Sequence, residues 1–95
     1  MDGCELEKVR DNIDRINAEI VALLVERMNN VDQVAEYKAA HGLPVSVPER
    51  EKNIIEKVAA LAGEEYAGDV VPVFQAILAA SCQREERKMK KEIRG

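Results

Sequence analysis

Tryptophan is absent from this chain of 95 residues, and aromatics reach only 3%: Tyr37, Tyr66 and Phe74. That is too few for an aromatic-rich β-sandwich, and too few for a base-stacking platform on single-stranded nucleic acid. Cysteine occurs twice, at Cys4 and Cys82, far apart and without C-x-x-C spacing. No zinc or redox motif is suggested, and both are read as free thiols. The single histidine, His41, has no cluster of ligating residues around it, which speaks against a metal site. No run approaches the roughly 18 consecutive apolar residues of a membrane span. The N-terminal stretch MDGCELEKVRDNIDR has no apolar signal core. Gly-rich phosphate loops and nucleophile elbows are missing. Neither sign of charge dominates: 14 Lys plus Arg stand against 18 Asp plus Glu, for a net charge of −4. A global attraction to nucleic acid is excluded, although a local cationic pocket is not. The expectation is a soluble, cytoplasmic protein without nucleic-acid or membrane partners.

What is present suits a small folded domain. Apolar residues make up 46% and charged residues 34%, so residues 1–95 are read as one domain able to bury a core. From about residue 5 to 40, Leu6, Val9, Ile13, Ile16, Ile20, Leu23, Leu24, Val31 and Val34 recur at helical steps with no Pro or Gly between them. At about 1.5 Å per residue such a helix is over roughly 50 Å long. A globule of this size has a radius of gyration of about 12 to 13 Å. The stripe therefore needs cover from outside its own domain, most simply a second copy of the chain.

Gly42 and Pro44 end this helix. Ser46-Val47-Pro48-Glu49 has the S-x-x-E form of a capping box and opens a second helix over about 47–62, with Ile54, Ile55, Val58 and Leu61 inward. After the connection Gly63 to Gly68, Asp69 is the expected cap of a third helix over about 69–91, with Pro72 in its first turn. Its inner face is Val73, Phe74, Ile77, Leu78 and Ser81, and its mixed-charge tail reads as a solvated face. The predicted fold class is all-α: three helices, long, short and long.

Candidate functional residues stand out against this pattern. Arg27 interrupts the apolar seam, and Lys38, about three turns later, shares nearly the same face. Cations facing a core need an anion, whether a protein carboxylate such as Glu51 or Glu85 or a bound anionic ligand. The plainer alternative is snorkelling or ion-paired arginines. Arg10 points about 100° away from Arg27 and lies about 25 Å from it along an ideal helix. The two grip one small molecule only if Arg10 comes from a partner subunit. Arg50 and Glu51 open the second helix, where charge is ordinary. Ser81 and Glu85 share a face of the third, though a mid-helix Ser often bonds only its own backbone. His41 at a helix end reads as a C-terminal cap helper.

Together, Leu6, Arg10, Ile13-Asp14, Ile16, Leu23-Leu24, Glu26-Arg27, Val34, Tyr37-Lys38, Pro44-Val45, Pro48-Glu49-Arg50-Glu51 and Phe74 through Ser81 resemble the all-helical chorismate mutases over about residues 5 to 86. The resemblance implies an intertwined homodimer with shared active sites and the cofactor-free rearrangement of chorismate to prephenate in aromatic amino acid biosynthesis. It implies that Arg10 of the partner and Arg27 bind the two substrate carboxylates. Lys38 donates to the ether oxygen, Glu51 accepts from the ring hydroxyl, and Arg50 and Ser81 support the carboxylate end. Two positions depart from the family pattern. Val47 stands where many members have Asp, leaving its backbone as the substrate contact. Glu85 stands where many have Gln, opposite Lys38 across the ether oxygen, and can donate there only when protonated. Two other readings stand beside it. One is a lyase of the same fold that removes pyruvate from isochorismate, and the other is a non-catalytic helical dimerisation module.

Overall fold

A computed structural model describes residues 1–94. It contains three helices in chain order: α1, Gly3–His41; α2, Pro48–Ala62; and α3, Ala67–Arg94. Among the described residues there is no strand, and no helix is long and apolar enough to cross a membrane.

The ends of the helices follow local chemistry, in places differently from the sequence expectation. α1 begins earlier than expected because the Asp2 carboxylate accepts a hydrogen bond from the Glu5 N–H at 2.7 Å, satisfying an otherwise orphaned donor. It ends as expected at Gly42, whose φ of 64° is left-handed. The Leu43 N–H donates to the Lys38 carbonyl at 2.9 Å, the long bond of a Schellman motif. His41 donates from Nδ1 to the Tyr37 carbonyl at 2.8 Å and stacks on the Tyr37 ring, so it does help to close the helix.

The capping box does not form. Val47, not Ser46, is the N-cap of α2, and no side chain caps it. The residue before a proline is driven to extended backbone, and Val47 has φ −129° and ψ 87°. Pro48 then becomes the first helical residue, which leaves the Ser46 hydroxyl one position outside the helix. The first bond instead runs from the Glu51 N–H to the Val47 carbonyl at 3.1 Å. Asp69 does not cap α3 either. A turn at Gly63, where the Ala67 N–H reaches the Gly63 carbonyl at 2.9 Å, starts that helix two residues earlier. Asp69 lies in the first turn, where its charge still suits the dipole. Pro72 consequently sits inside the helix, and the Gly68 carbonyl loses the i+4 donor it would otherwise have.

The chain divides into two compact units, Met1–Asn30 and the remainder from Val31. The first is a single stretch of α1, in which Leu6, Val9, Ile13, Ile16, Ile20 and Leu23 are all exposed. In the second, α2 packs on α3. Ala35 and Val58 are its buried apolar residues, and Ile54, Ile55, Phe74, Ile77 and Leu78 are half-buried. Two expected core residues lie outside: Leu61 is 87% and Val73 58% exposed. The inward row of α2 runs through Ile54, Val58 and Ala62, and that of α3 through Phe74, Ile77 and Ser81. Leu61 and Val73 each precede a row member by one residue, a rotation of about 100°.

The α3 tail is not a purely solvated face. Arg84 forms a two-pronged bond to Asp32, Nε to Oδ1 at 2.7 Å and a terminal nitrogen to Oδ2 at 2.8 Å. One turn further along both helices, Lys88 lies 3.9 Å from Glu36. Acids four apart on α1 thus face bases four apart on α3, a register that fixes how the two segments align within this unit.

Candidate active site

Lys38 occupies the last turn of α1, where a cation is favoured by the helix dipole. The chain folds back after Gly42 and presents the Val45 carbonyl to it. Lys38 Nζ donates to that oxygen at 2.8 Å. The same ammonium lies 2.8 Å from Glu85 Oε1, with side-chain exposures of only 14% and 9%. Glu85 Oε1 is sealed from solvent and accepts no hydrogen bond among the described residues, so the pair is held by charge at close range. In such a sheltered place the attraction is strong, and removing either partner strands the other.

Ser81 stands one turn before Glu85 on the same face of α3, and both are buried. The Ser81 hydroxyl donates to the Ile77 carbonyl at 2.8 Å. Glu51, in the first turn of α2, is half-buried. Its Oε1 accepts from the Cys82 thiol at 3.4 Å across the helix interface. Burial pushes the Cys82 thiol above its ordinary range. The Glu51 hydrogen bond and charge add to this, Glu85 adds a little, and Lys38 opposes. One side chain thus senses Lys38, Glu51 and Glu85 together. Both cysteines are free thiols.

Glu51 and Cys82 also line an open groove of about 470 Å³ between α2 and α3, floored by Ile55 and Leu78. Lys38 and Glu85 are not among its lining residues. Arg50 is exposed at the start of α2, and Val47 is 38% exposed at its N-cap. In the first unit, Arg27 is half-buried, and Arg10 is exposed with Glu7 at 3.3 Å. Within the second unit, then, Lys38 meets Glu85 directly, Ser81 stands one turn before Glu85, and Glu51 is linked to the α3 face through Cys82, while Arg50 and Val47 lie at its surface.

Four contributors escaped the sequence reading. Val45 acts through its carbonyl, which no side-chain pattern reveals. Asp32 and Arg84 are 52 residues apart, and their signal was the matched i, i+4 spacing of acids in α1 and bases in α3. Cys82 was read only for redox and metal chemistry, not as a hydrogen-bond donor.

The family described as "Chorismate mutase type II" matches residues 9–86. A bifunctional chorismate mutase/prephenate dehydratase of Aquifex aeolicus is 40% identical over 90% of this chain and 25% of its own length. A chorismate mutase of Methanocaldococcus jannaschii is 33% identical over 78% of this chain and 77% of its own. A 4-amino-4-deoxychorismate mutase of Streptomyces venezuelae is 23% identical over 93% of this chain and 87% of its own. The chain spans about a quarter of the length of the bifunctional relative. No solved structure matches.

Proposed function

We propose that this chain, which belongs to the type II chorismate mutase family, converts chorismate to prephenate at a site built on Lys38, Glu51, Ser81 and Glu85. Residues 1–95 are read as one such domain, acting in the cytoplasm in aromatic amino acid biosynthesis. The observation that carries the proposal is the sheltered Lys38–Glu85 contact with Val45 behind it.

The reaction is an intramolecular Claisen rearrangement. The ether C–O bond breaks as a C–C bond forms in one ring of six atoms, with no net gain or loss of protons or electrons. The protein has two tasks. It must hold a flexible dianion in its compact reactive conformer, and it must aim donors at the ether oxygen, where negative charge grows. Lys38 is suited to the second. An ammonium has three N–H groups. One is used on Val45, one is directed by the charge of Glu85, and the third is available to the ether oxygen. The donor is oriented before substrate arrives, so little reorganisation is needed at the moment of reaction.

Glu85, when protonated, adds a second donor to the same oxygen. Ionised, it draws Lys38 toward itself and repels the growing charge. Glu51 accepts from the ring hydroxyl, the Val47 backbone lies beside it, and Arg50 and Ser81 support a substrate carboxylate. For Arg27 and for Arg10 of a second copy, the role of gripping the two carboxylates rests on the family pattern, in which planar guanidinium forks suit carboxylates. The exposed apolar row of the first unit supports the same reading. A surface of that kind left in water favours association, and a second chain is the expected cover.

The test is to incubate the purified protein with chorismate and with isochorismate separately. Loss of chorismate absorbance with formation of prephenate is the expected result. Release of pyruvate from isochorismate alone would make the protein the lyase, and inertness toward both would leave a helical dimerisation module.

A further inference from the structure

Cys82 is conspicuous because it does nothing that cysteines usually do. It forms no disulfide, and its thiol is held away from the reactive thiolate form by burial and by neighbouring carboxylates. Yet it is aimed at a residue of the proposed site. Its Sγ lies 3.4 Å from Glu51 Oε1, bridging α3 to α2 across 31 residues of sequence. We propose that Cys82 is a positioning residue for Glu51: its S–H, donating to Oε1, fixes the carboxylate so that Oε2 is presented to the substrate hydroxyl. The role rests on the chorismate reading above, because that reading is what gives Glu51 a substrate contact.

The physical argument is one of rotamers and charge. A glutamate in the first turn of a helix has three side-chain torsions and, on a partly exposed surface, several orientations. A single hydrogen bond from the facing helix selects one. The donor must not compete for the negative charge. A lysine or arginine here would bind Glu51 tightly enough to hold it away from a neutral hydroxyl. A thiol is a weak donor and leaves the carboxylate basic. The groups around it keep it protonated. Glu51 from α2 and Glu85 from its own helix disfavour the thiolate, and Lys38 from α1 only partly offsets them. The donor therefore persists at neutral pH.

The experiment uses the full chain in a Cys4→Ser background, since Cys4 is exposed and far from these residues in sequence. Cys82→Ala removes the donor, and Cys82→Ser keeps one. Loss of kcat/KM by roughly 5- to 10-fold in Cys82→Ala, carried mainly by KM, with Cys82→Ser within about twofold of the parent, is the expected pattern for one hydrogen bond from a weak donor. Adding Cys82→Ala to Glu51→Gln should cost much less than adding it to the parent. Equal activity of the Ala and Ser variants, or a full additional loss in the Glu51→Gln background, would overturn the role. A second arm is independent of turnover. The pH dependence of Cys82 alkylation by iodoacetamide should move to lower pH in Glu51→Gln, and no movement would show that thiol and carboxylate are not coupled. If the parent protein does not act on chorismate, the reaction assignment fails, while the alkylation arm still decides the contact.

Discussion

Lys38 and Glu85 stand 47 residues apart in sequence and 2.8 Å apart in the fold, in a place sheltered from water on both sides. A cation so placed is matched to an oxygen that gains charge only in the transition state. Lys38→Ala is therefore expected to lower kcat by about 100-fold or more, with kcat/KM falling at least as far. A change confined to KM would show that the ammonium binds substrate and transition state alike, and would remove the role given to it here.

Glu85 offers a second test. A carboxylic acid can donate to the ether oxygen, a carboxylate cannot, and the amide of Glu85→Gln donates at every pH, so the pH profiles of kcat/KM for the wild type and Glu85→Gln should differ. Glu85 is only 7% exposed, so solvent cannot substitute for it. Superimposable profiles for the two proteins would take Glu85 out of the chemistry.

The exposed apolar row of α1 bears on assembly. Light scattering should give twice 10.6 kDa. Mixing inactive Arg10→Ala and Arg27→Ala chains and allowing exchange should restore roughly a quarter of the activity. Half of the dimers are then mixed, and each mixed dimer has one intact site. A folded, active monomer, or no recovery after exchange is verified, would refute the shared site.

Asp32 and Arg84 predict an acid limit. The Arg84 guanidinium, chiefly through its hydrogen bonds, holds the Asp32 carboxyl below its ordinary value of 3.8. A group whose folded value is lowered stabilises the fold above its unfolded value, and the contribution disappears as pH falls through the folded one. Asp32→Asn should therefore melt at a lower temperature than wild type at pH 7 and at pH 5, with the gap closing below about pH 4. A gap that persists unchanged at pH 2 would mean that packing, not charge, accounts for it.

The helices were legible in the sequence because their causes are local. The apolar steps of α1, the Gly42 stop and the run from Phe74 to Ser81 each follow from spacing or from backbone preference. Where the sequence misled, a neighbour had overridden a motif. Pro48 forced Val47 to be extended and pushed Ser46 out of the cap, and the Gly63 turn started α3 before Asp69. Lys38 and Glu85 could be nominated as polar residues on apolar faces, and only the family resemblance set them opposite each other, since helical periodicity gives direction without register between helices. The matched Asp32/Glu36 and Arg84/Lys88 spacings hold that register. The contacts of Val45 and Cys82 lay beyond the reading, one made through backbone and the other through a weak donor.

The end of α1 also bears on which changes the chain tolerates. Residue 38 is tied twice to the segment that follows it: its carbonyl accepts from the Leu43 N–H and its ammonium donates to the Val45 carbonyl. Connections between helices ordinarily absorb insertions and deletions. This one has no spare length, because one added residue between Gly42 and Val45 moves the oxygen that aims the ammonium. A Cβ at Gly42 meets nothing within 4 Å, so the left-handed backbone alone resists replacement; Gly42→Ala should cost roughly 1–2 kcal/mol in stability. In descendants of this chain, substitutions in the α1–α2 connection are then free to vary on its solvent side, while its length is inherited with the chemistry.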